Sequence, residues 1–544
     1  MSVVAEQVFV IGGPQPDTTG VSPESAGGKG ANLARLSKLG LRVPPAIILG
    51  TGFCKTYFER RGFAPEFPRQ VAGYLRRLEE TTGRRLGGRH PLLVSVRSSP
   101  PVSMPGMLDT VLNVGLTESC VHALVRSTGN PVLAWDAYRR LVRSFAGTVA
   151  CQPMDPFDQL TARYLREGHV ERVDELDVLT LRSLSRDCAE LFQTTTGGLP
   201  ADPLEQVMSA VAAVCRSWHS SRATEYRRLH DIGADTATAV IIQAMVFGNG
   251  GGLSGSGVGF TRDPATGADR LYVDFLFNAQ GEDVVSGRQA GSDAGRLRHV
   301  LPAVAAEIEQ ARRRLEVEFG DVQDFEFTVE DGRLFFLQTR TAKRTSWAAL
   351  RIIVDLVADG IIEPAAAVAR IGDIDLRTIQ RRRLSPGPDA MPIGHGVPAG
   401  LGVASGAIAL DVARARDLAA AGPVVLVRTE IATEDIAGLA VADGVVTTFG
   451  GPTSHGAVVA RQMNKACVVG CRELSVQPAH RRCSFGGRVF HEGDFVTVDS
   501  ETGNVYADRV PVVVETPQDL VATVEEWRSR YAIERSRVSP SVSA

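Results

Sequence analysis

One segment, GVVTTFGGPTSHGAVVARQMNKACVVG from Gly444 to Gly470, constrains the fold more than any other. It runs from an apolar stretch through a Gly450-Gly451 turn into a helical stretch beginning around Thr453, then into a second apolar stretch. That order reads as strand, turn, helix and strand, the unit of an α/β fold. His455 falls in the first turn of the helix, where unpartnered backbone N–H groups and the positive end of the helix dipole favour a nearby anion by about 0.3–1 kcal/mol. Neutral imidazole, with a reference pKa of about 6.5, is a competent nucleophile, and the small Gly456 and Ala457 leave its surroundings open. A phosphoryl group fits that position.

The 544 residues suggest three or four domains, each large enough for its own core. With 59 basic against 62 acidic residues and a net charge of −3, no overall field gathers nucleic acid or an anionic membrane surface. The eight cysteines form no C-x-x-C pair and no zinc-ligand spacing, so free thiols in a reducing cytoplasm are expected. The start, MSVVAEQVFVIGG, has neither a basic n-region nor a long apolar core, and runs such as Val207 to Cys215 are too short to span a bilayer.

Short β-like runs alternate with helical ones early in the chain, as in VFVIGG (Val8 to Gly13), Ala31 to Lys38 and VSVR (Val94 to Arg97). Between Arg69 and Glu80, the positions Val71, Tyr74, Leu75 and Leu78 trace one helix face. Residues from about Thr117 to Arg228 read as an all-helical subdomain. Strands return at Thr238 to Phe247, Val258 to Pro264 and Leu271 to Phe277, which suggests an antiparallel sheet around the glycine-rich loop Gly248 to Gly259. A helix near Ala303 to Glu318, with Val304, Ile308, Ala311 and Leu315 on one stripe, precedes the hairpin FEFTVEDGRLFFLQTR, and the first domain is placed at residues 1–345. A helical linker, residues 346–395, carries the charge run Arg381 to Arg383, read as solvated, and ends in SPGPDAMP. A β/α domain takes residues 396–510, and 511–544 form a helix with Leu520, Val524, Trp527 and Tyr531 on one face and a disordered end of about ten residues. The fold class is thus multidomain α/β and α+β.

Three motifs offer phosphate or metal chemistry. Lys29 lies in a Gly-Gly-Lys-Gly turn where backbone N–H groups and an ammonium can hold phosphate oxygens, although the Walker pattern is absent. Arg97 ends an apolar strand, a place for a guanidinium fork on phosphates. In the hairpin, a three-residue loop from Glu330 to Gly332 puts Asp324, Glu326, Gln338 and Arg340 on one face, with Phe325, Phe327, Val329, Phe335 and Leu337 on the other. Carboxylate and amide oxygens then converge for Mg²⁺. A two-residue loop instead separates Glu326 from Gln338, so the metal reading predicts a bulged turn with Gly332 at positive φ. Cys467 and Cys471 read as packing thiols.

TSH followed by AVVAR resembles the phosphohistidine signature of the pyruvate, phosphate dikinase family, which includes phosphoenolpyruvate synthase. GGKGANLARLSKLGLRVPPA (Gly27 to Ala46), VSVRSSPPVSMPGMLDTVLNVGL (Val94 to Leu116), QAMVFGN (Gln243 to Asn249), GVGFTRDPATG (Gly257 to Gly267), NAQGEDVVSG (Asn278 to Gly287) and QDFEFTVEDGRLFFLQTRTAKRT (Gln323 to Thr345) resemble that family's nucleotide-binding domain, in its order. The resemblance implies an ATP-grasp nucleotide-binding domain and a swivelling β/α phosphohistidine domain. It carries Lys29 and Arg97 to ATP phosphates, Arg97 also to transition-state charge, and Glu326 and Gln338, beside Asp324 and Arg340, to Mg²⁺ and phosphates. Gly248 to Gly259 resembles the family's cover over the phosphates.

By the same resemblance, His455 takes the pyrophosphoryl group of ATP, AMP leaves, and phosphate or water removes the outer phosphoryl. Two departures stand out. Pro100 and Pro101 replace a small residue and an arginine, and about 34 residues follow Val510, whereas the barrel that binds pyruvate or phosphoenolpyruvate needs about 200 or more. A separate barrel-bearing protein docking on the Trp527 stripe is therefore the expected partner, and a homodimer is compatible with the reading. Phosphorylation of an antibiotic or metabolite, and a non-catalytic nucleotide sensor or phosphocarrier, are the alternatives.

Overall fold

The computed structural model describes residues 7–13, 16–102, 104, 107–233, 236–281, 284, 294–372, 374–385 and 391–538. The heart of the proline-rich linker, residues 386–390, half of the NAQGEDVVSG motif and the last six residues lie outside the described residues. The chain is mixed α/β and divides into two compact units, residues 1–254 with 328–339, and residues 255–327 with 340–544.

The first unit is built on a five-stranded antiparallel sheet in the order Val8–Ile11, Ala46–Leu49, Ala239–Ala244, Val94–Ser99, Thr110–Val114. Alternation along the strands divides its two faces. Ile47, Leu49, Val94, Val96, Val240 and Ile242 join a buried core with Val207, Ala210 and Val211 of the helix Pro203–Ser217. The opposite face is covered by the helix Pro23–Lys38, which starts in a capping box where Ser22 and Ser25 each satisfy the other's backbone N–H. The expected helix at Arg69 to Glu80 is Phe67–Thr82, and it buries Val71, Leu75 and Leu78. From Glu118 to Leu229 the regular elements are all helical.

Two strands assigned from sequence to one sheet with Ala239–Ala244 belong elsewhere. Gly255–Phe260 and Tyr272–Phe277 join the hairpin strands Gln323–Glu330 and Arg333–Thr341 in a separate four-stranded sheet. The glycines of Gly255–Phe260 are therefore strand residues, which corrects the second half of the expected phosphate cover. A Cβ at Gly255, Gly257 or Gly259 would stand 2.2, 2.5 or 2.3 Å from the rings of Phe275, Phe327 and Phe325. Small residues on that face make room for aromatic packing.

The remainder of the second unit contains the β/α module. Its eight-stranded sheet runs Pro392–His395, Asn504–Ala507, Phe495–Asp499, Val403–Ala409, Val424–Arg428, Gly444–Thr447, Ala466–Val469, Val397–Pro398. The four strands from Val403–Ala409 to Ala466–Val469 are parallel. Such strands are buried on both faces and read as continuous apolar runs. Leu426, Val445 and Cys467 face the helix residues Ala457 and Ala460, whereas Val425, Val446 and Val468 face Phe485 and Phe490.

Two surface expectations are corrected here. Arg381–Leu384 is a strand paired with Val512–Glu515, and Arg381 stacks over Trp347 and bonds Glu515 at 2.8 Å and Glu501 at 3.2 Å, so Arg381 is structural, whereas Arg382 and Arg383 are exposed as expected. The stripe on the last helix, Gln518–Val538, is already covered: Val524, Leu520 and Trp527 pack with Trp347, Leu350, Ile353 and Ile371. A partner cannot dock there without displacing that core.

Candidate active site

In the first unit, the Lys29 and Arg97 segments are bound together. Within the helix Pro23–Lys38, Gly27 has φ +70° and ψ 166°, which kinks the helix just before Lys29. Gly28 N–H donates to the Pro100 carbonyl at 2.9 Å, Gly30 N–H to Ser99 Oγ at 3.0 Å, and Ser99 Oγ–H to the Ala26 carbonyl at 2.9 Å. Two N–H groups expected to face phosphate are therefore spent on the end of the Arg97 strand. That bonding fixes the half-buried Lys29 beside Ser99 to Pro101.

Arg97 is half-buried, and its Nη2 donates to Gln243 Oε1 at 2.6 Å and to the Leu337 carbonyl at 2.9 Å. Gln243 in turn donates to the Pro44 carbonyl at 3.0 Å. A guanidinium held on three strands is pre-organised, so little side-chain entropy is lost when it meets an anion. Gln243 lay inside a quoted motif, but only the pairing of Ser95 with Gln243 across the sheet reveals its role.

The hairpin turn differs from expectation. Its strands end at Glu330 and start at Arg333, and Asp331 and Gly332 both have positive φ, 48° and 75°, which defines a two-residue hairpin loop. Gly332 has the expected φ but the loop is one residue shorter. Accordingly Leu334 and Phe336 are the fully buried residues of the second strand, and Phe335 and Leu337 only half so. Yet Arg340 Nε donates to Asp324 Oδ2 at 2.8 Å, on the shared face expected for this pair. The alternation of burial along the second strand breaks at Gln338 and Thr339, both buried. Burial raises the Asp324 carboxyl above its ordinary range despite Arg340. Glu326 is half-buried on the same strand as Asp324.

His455 opens the helix His455–Gln462, with Ser454 as an N-cap that makes no side-chain capping bond. The helix follows the carboxyl end of the parallel strand Gly444–Thr447, the end at which open α/β sheets present ligand-binding loops. The imidazole is exposed, while Thr453 and Ala457 around it are buried. Thr453 Oγ1 donates to Asp274 Oδ2 at 3.2 Å, a contact with the strand Tyr272–Phe277 that sequence reasoning missed. It also missed Arg461, six residues after the histidine and only 1% exposed. Both Cys467 and Cys471 are buried, with thiols pushed up to about 12 by desolvation, as packing residues should be.

Among the described residues, no three His, Cys, Asp or Glu side chains are grouped so as to hold a metal alone. Mg²⁺ in nucleotide sites takes one or two carboxylates, completed by phosphate oxygens and water. Asp324 and Glu326 fit that smaller demand, with Asp324 already engaged by Arg340.

The profile of the "Pyruvate phosphate dikinase, AMP/ATP-binding domain" matches residues 63–299, and that of the "PEP-utilising enzyme, mobile domain" matches residues 420–503, around His455. Pyruvate, phosphate dikinase of Rhizobium meliloti is 40% identical over 96% of this chain and 60% of its own length. The enzyme of Clostridium symbiosum is 38% identical over 93% and 59%, and pyruvate, phosphate dikinase 2 of Zea mays 38% over 96% and 60%. This chain is homologous to the pyruvate, phosphate dikinases and carries their AMP/ATP-binding and mobile domains. It spans about three fifths of the length of those relatives. The family's mobile-domain match ends at residue 503, close to the strand pair that closes the β/α module.

Proposed function

We propose that the chain is an ATP-dependent phosphotransferase of the dikinase type, in which His455 becomes phosphorylated and AMP is released. The observation that carries this reading is an exposed imidazole at the start of a helix, within a chain whose relatives are named pyruvate, phosphate dikinase. On this reading residues 1–345 form an ATP-grasp nucleotide site and the β/α module swivels. An imidazole nitrogen forms a bond to the β-phosphorus of ATP as the bond to the α-phosphate oxygen breaks, and AMP leaves with that oxygen. Phosphate or water then takes the γ-phosphoryl, giving pyrophosphate or phosphate and leaving one phosphoryl group on His455.

Catalysis of this kind is positioning plus charge neutralisation. Arg97, held by Gln243 and the Leu337 carbonyl, neutralises developing phosphate charge. Lys29 binds phosphate oxygens as a point charge, and Gln338 and Arg340 are assigned to phosphate by the same resemblance. Mg²⁺, held by Glu326 and Asp324 together with the nucleotide, supplies further charge neutralisation. The final acceptor, pyruvate in the full reaction, is bound on our reading by a barrel supplied in trans. The eight free thiols suit a reducing cytoplasm.

Chromatography of the products formed from ATP, Mg²⁺ and phosphate tests the first half: AMP and pyrophosphate in equal amounts are expected. ADP as the only nucleotide product would contradict the reading.

A further inference from the structure

The strand Arg333–Thr341 lies at the edge of its four-stranded sheet. Backbone groups on such an edge need partners from outside the sheet. Side chains of the first compact unit supply them here. Arg42 Nη1 donates to the Leu334 carbonyl at 3.0 Å, Arg97 Nη2 to the Leu337 carbonyl at 2.9 Å, and Asn32 Nδ2 to the Thr339 carbonyl at 2.7 Å. The Phe336 N–H in turn donates to the Arg42 carbonyl at 2.8 Å.

Asn32 is the member whose placement does more than dock the strand. It follows Lys29 by three residues in the helix Pro23–Lys38, and residues three apart are neighbours on one helix face. Gly28 and Gly30, on either side of Lys29, bond the Pro100 carbonyl and Ser99 Oγ at the end of the Arg97 strand. Asn32 bonds the residue next to Gln338, and both Gln338 and Thr339 are buried. The turn of helix that bears Lys29 is therefore tied on one side to the Arg97 strand and on the other to the Gln338 strand. Asparagine is a poor helix former, because its amide competes for backbone hydrogen bonds. An alanine would suit the helix better and could not reach the strand. A lysine ammonium acts on phosphate as a point charge, so its effect depends on where the base of its stem is held.

We propose that Asn32 is a positioning residue for the triphosphate: its bond to Thr339 fixes the base of Lys29 against the strand of Gln338, so that ammonium and amide meet the same nucleotide. This role rests on the reading of Lys29 and Gln338 as ligands of the nucleotide and its Mg²⁺. Arg42 ties the same strand beside its turn, at Leu334, and serves as the structural counterpart.

The test is the affinity of the full chain for α,β-methylene-ATP with Mg²⁺, an analogue that cannot release AMP, measured by calorimetry at about 0.15 M salt to screen distant charges. Two variants remove the bond: Asn32→Ala, and Asn32→Asp, which keeps the shape but offers no N–H to the carbonyl. Each is expected to raise the Kd about 3- to 10-fold, the effect of one hydrogen bond. Arg42→Gln loses a bond to the same strand and is expected to keep the parent Kd. In a Lys29→Met background, Asn32→Ala is expected to change the Kd less than about 2-fold, because the group it positions is gone. A parent Kd in both Asn32 variants, an equal loss in Arg42→Gln, or the full factor retained on Lys29→Met would overturn the positioning role while leaving Lys29 a phosphate ligand. A Lys29→Met chain that binds as tightly as the parent would instead remove the phosphate reading of Lys29, and with it the role of Asn32.

Discussion

Replacing Gly27 by alanine tests how the Lys29 helix is fixed to the Arg97 strand. With φ +70° and ψ 166°, Gly27 occupies a region essentially reserved for glycine, where another residue costs about 1–3 kcal/mol. A Cβ there would also lie 1.7 Å from the Ser99 carbonyl oxygen and 2.4 Å from its carbon. Backbone must move, and overpacking of this kind costs about 1–3 kcal/mol. Any shift strains the bonds from Gly28 to Pro100 and from Gly30 to Ser99 as well. The combined loss is about 2–6 kcal/mol, a large part of the roughly 5–15 kcal/mol that holds a domain together. Gly20 supplies the control, because its φ is +71° but nothing lies within 4 Å of its Cβ direction. Urea unfolding followed by circular dichroism should show Gly27→Ala at least about 1 kcal/mol worse than Gly20→Ala, with weaker nucleotide binding by calorimetry. Equal losses in the two variants would refute the account of this junction.

Asp136→Asn should cost about 3–5 kcal/mol at neutral pH, since Arg139 and Arg140 bond this buried carboxylate at 2.6 Å. The two guanidiniums outweigh desolvation and hold its carboxyl below the ordinary carboxylate range, so its stabilisation is present above the unfolded pKa and lost as pH falls through the lower folded one. Unfolding measured from pH 7 down to about 3 should therefore show a flatter acid limb in the variant than in the parent. Thiol labelling at pH 8 should modify Cys151, the one exposed cysteine, quickly, and Cys467, Cys471 and Cys483 only on unfolding, because all three are buried with thiols near 12. Arg97→Lys should lower the single-turnover rate about 10-fold or more with little change in stability, because an ammonium cannot reproduce the fork that bonds Gln243 and Leu337.

The β/α order around His455 and the helix stripes at Val71 to Leu78 and Val304 to Leu315 were legible because periodicity is a local property. The hairpin was half legible. Asp331-Gly332 marked the turn, but its loop length depends on both φ values, and the break at Gln338 and Thr339 leaves no trace in composition. Arg381 and Trp527 looked like surface because their partners, Glu501, Glu515 and the helices after Ser346, lie far away in the chain. Arg461 sat inside a quoted motif, yet its burial against Phe260 joins residues about two hundred positions apart, and only the fold brings them together.

Whether His455 carries a phosphoryl group is decided by incubating the chain with β-labelled ATP, Mg²⁺ and phosphate, then mapping acid-labile, base-stable label to peptides. Label is expected on the peptide containing His455, in step with AMP, and not on His455→Ala. Label that persists in His455→Ala, or AMP formed without labelled protein, would contradict the assignment.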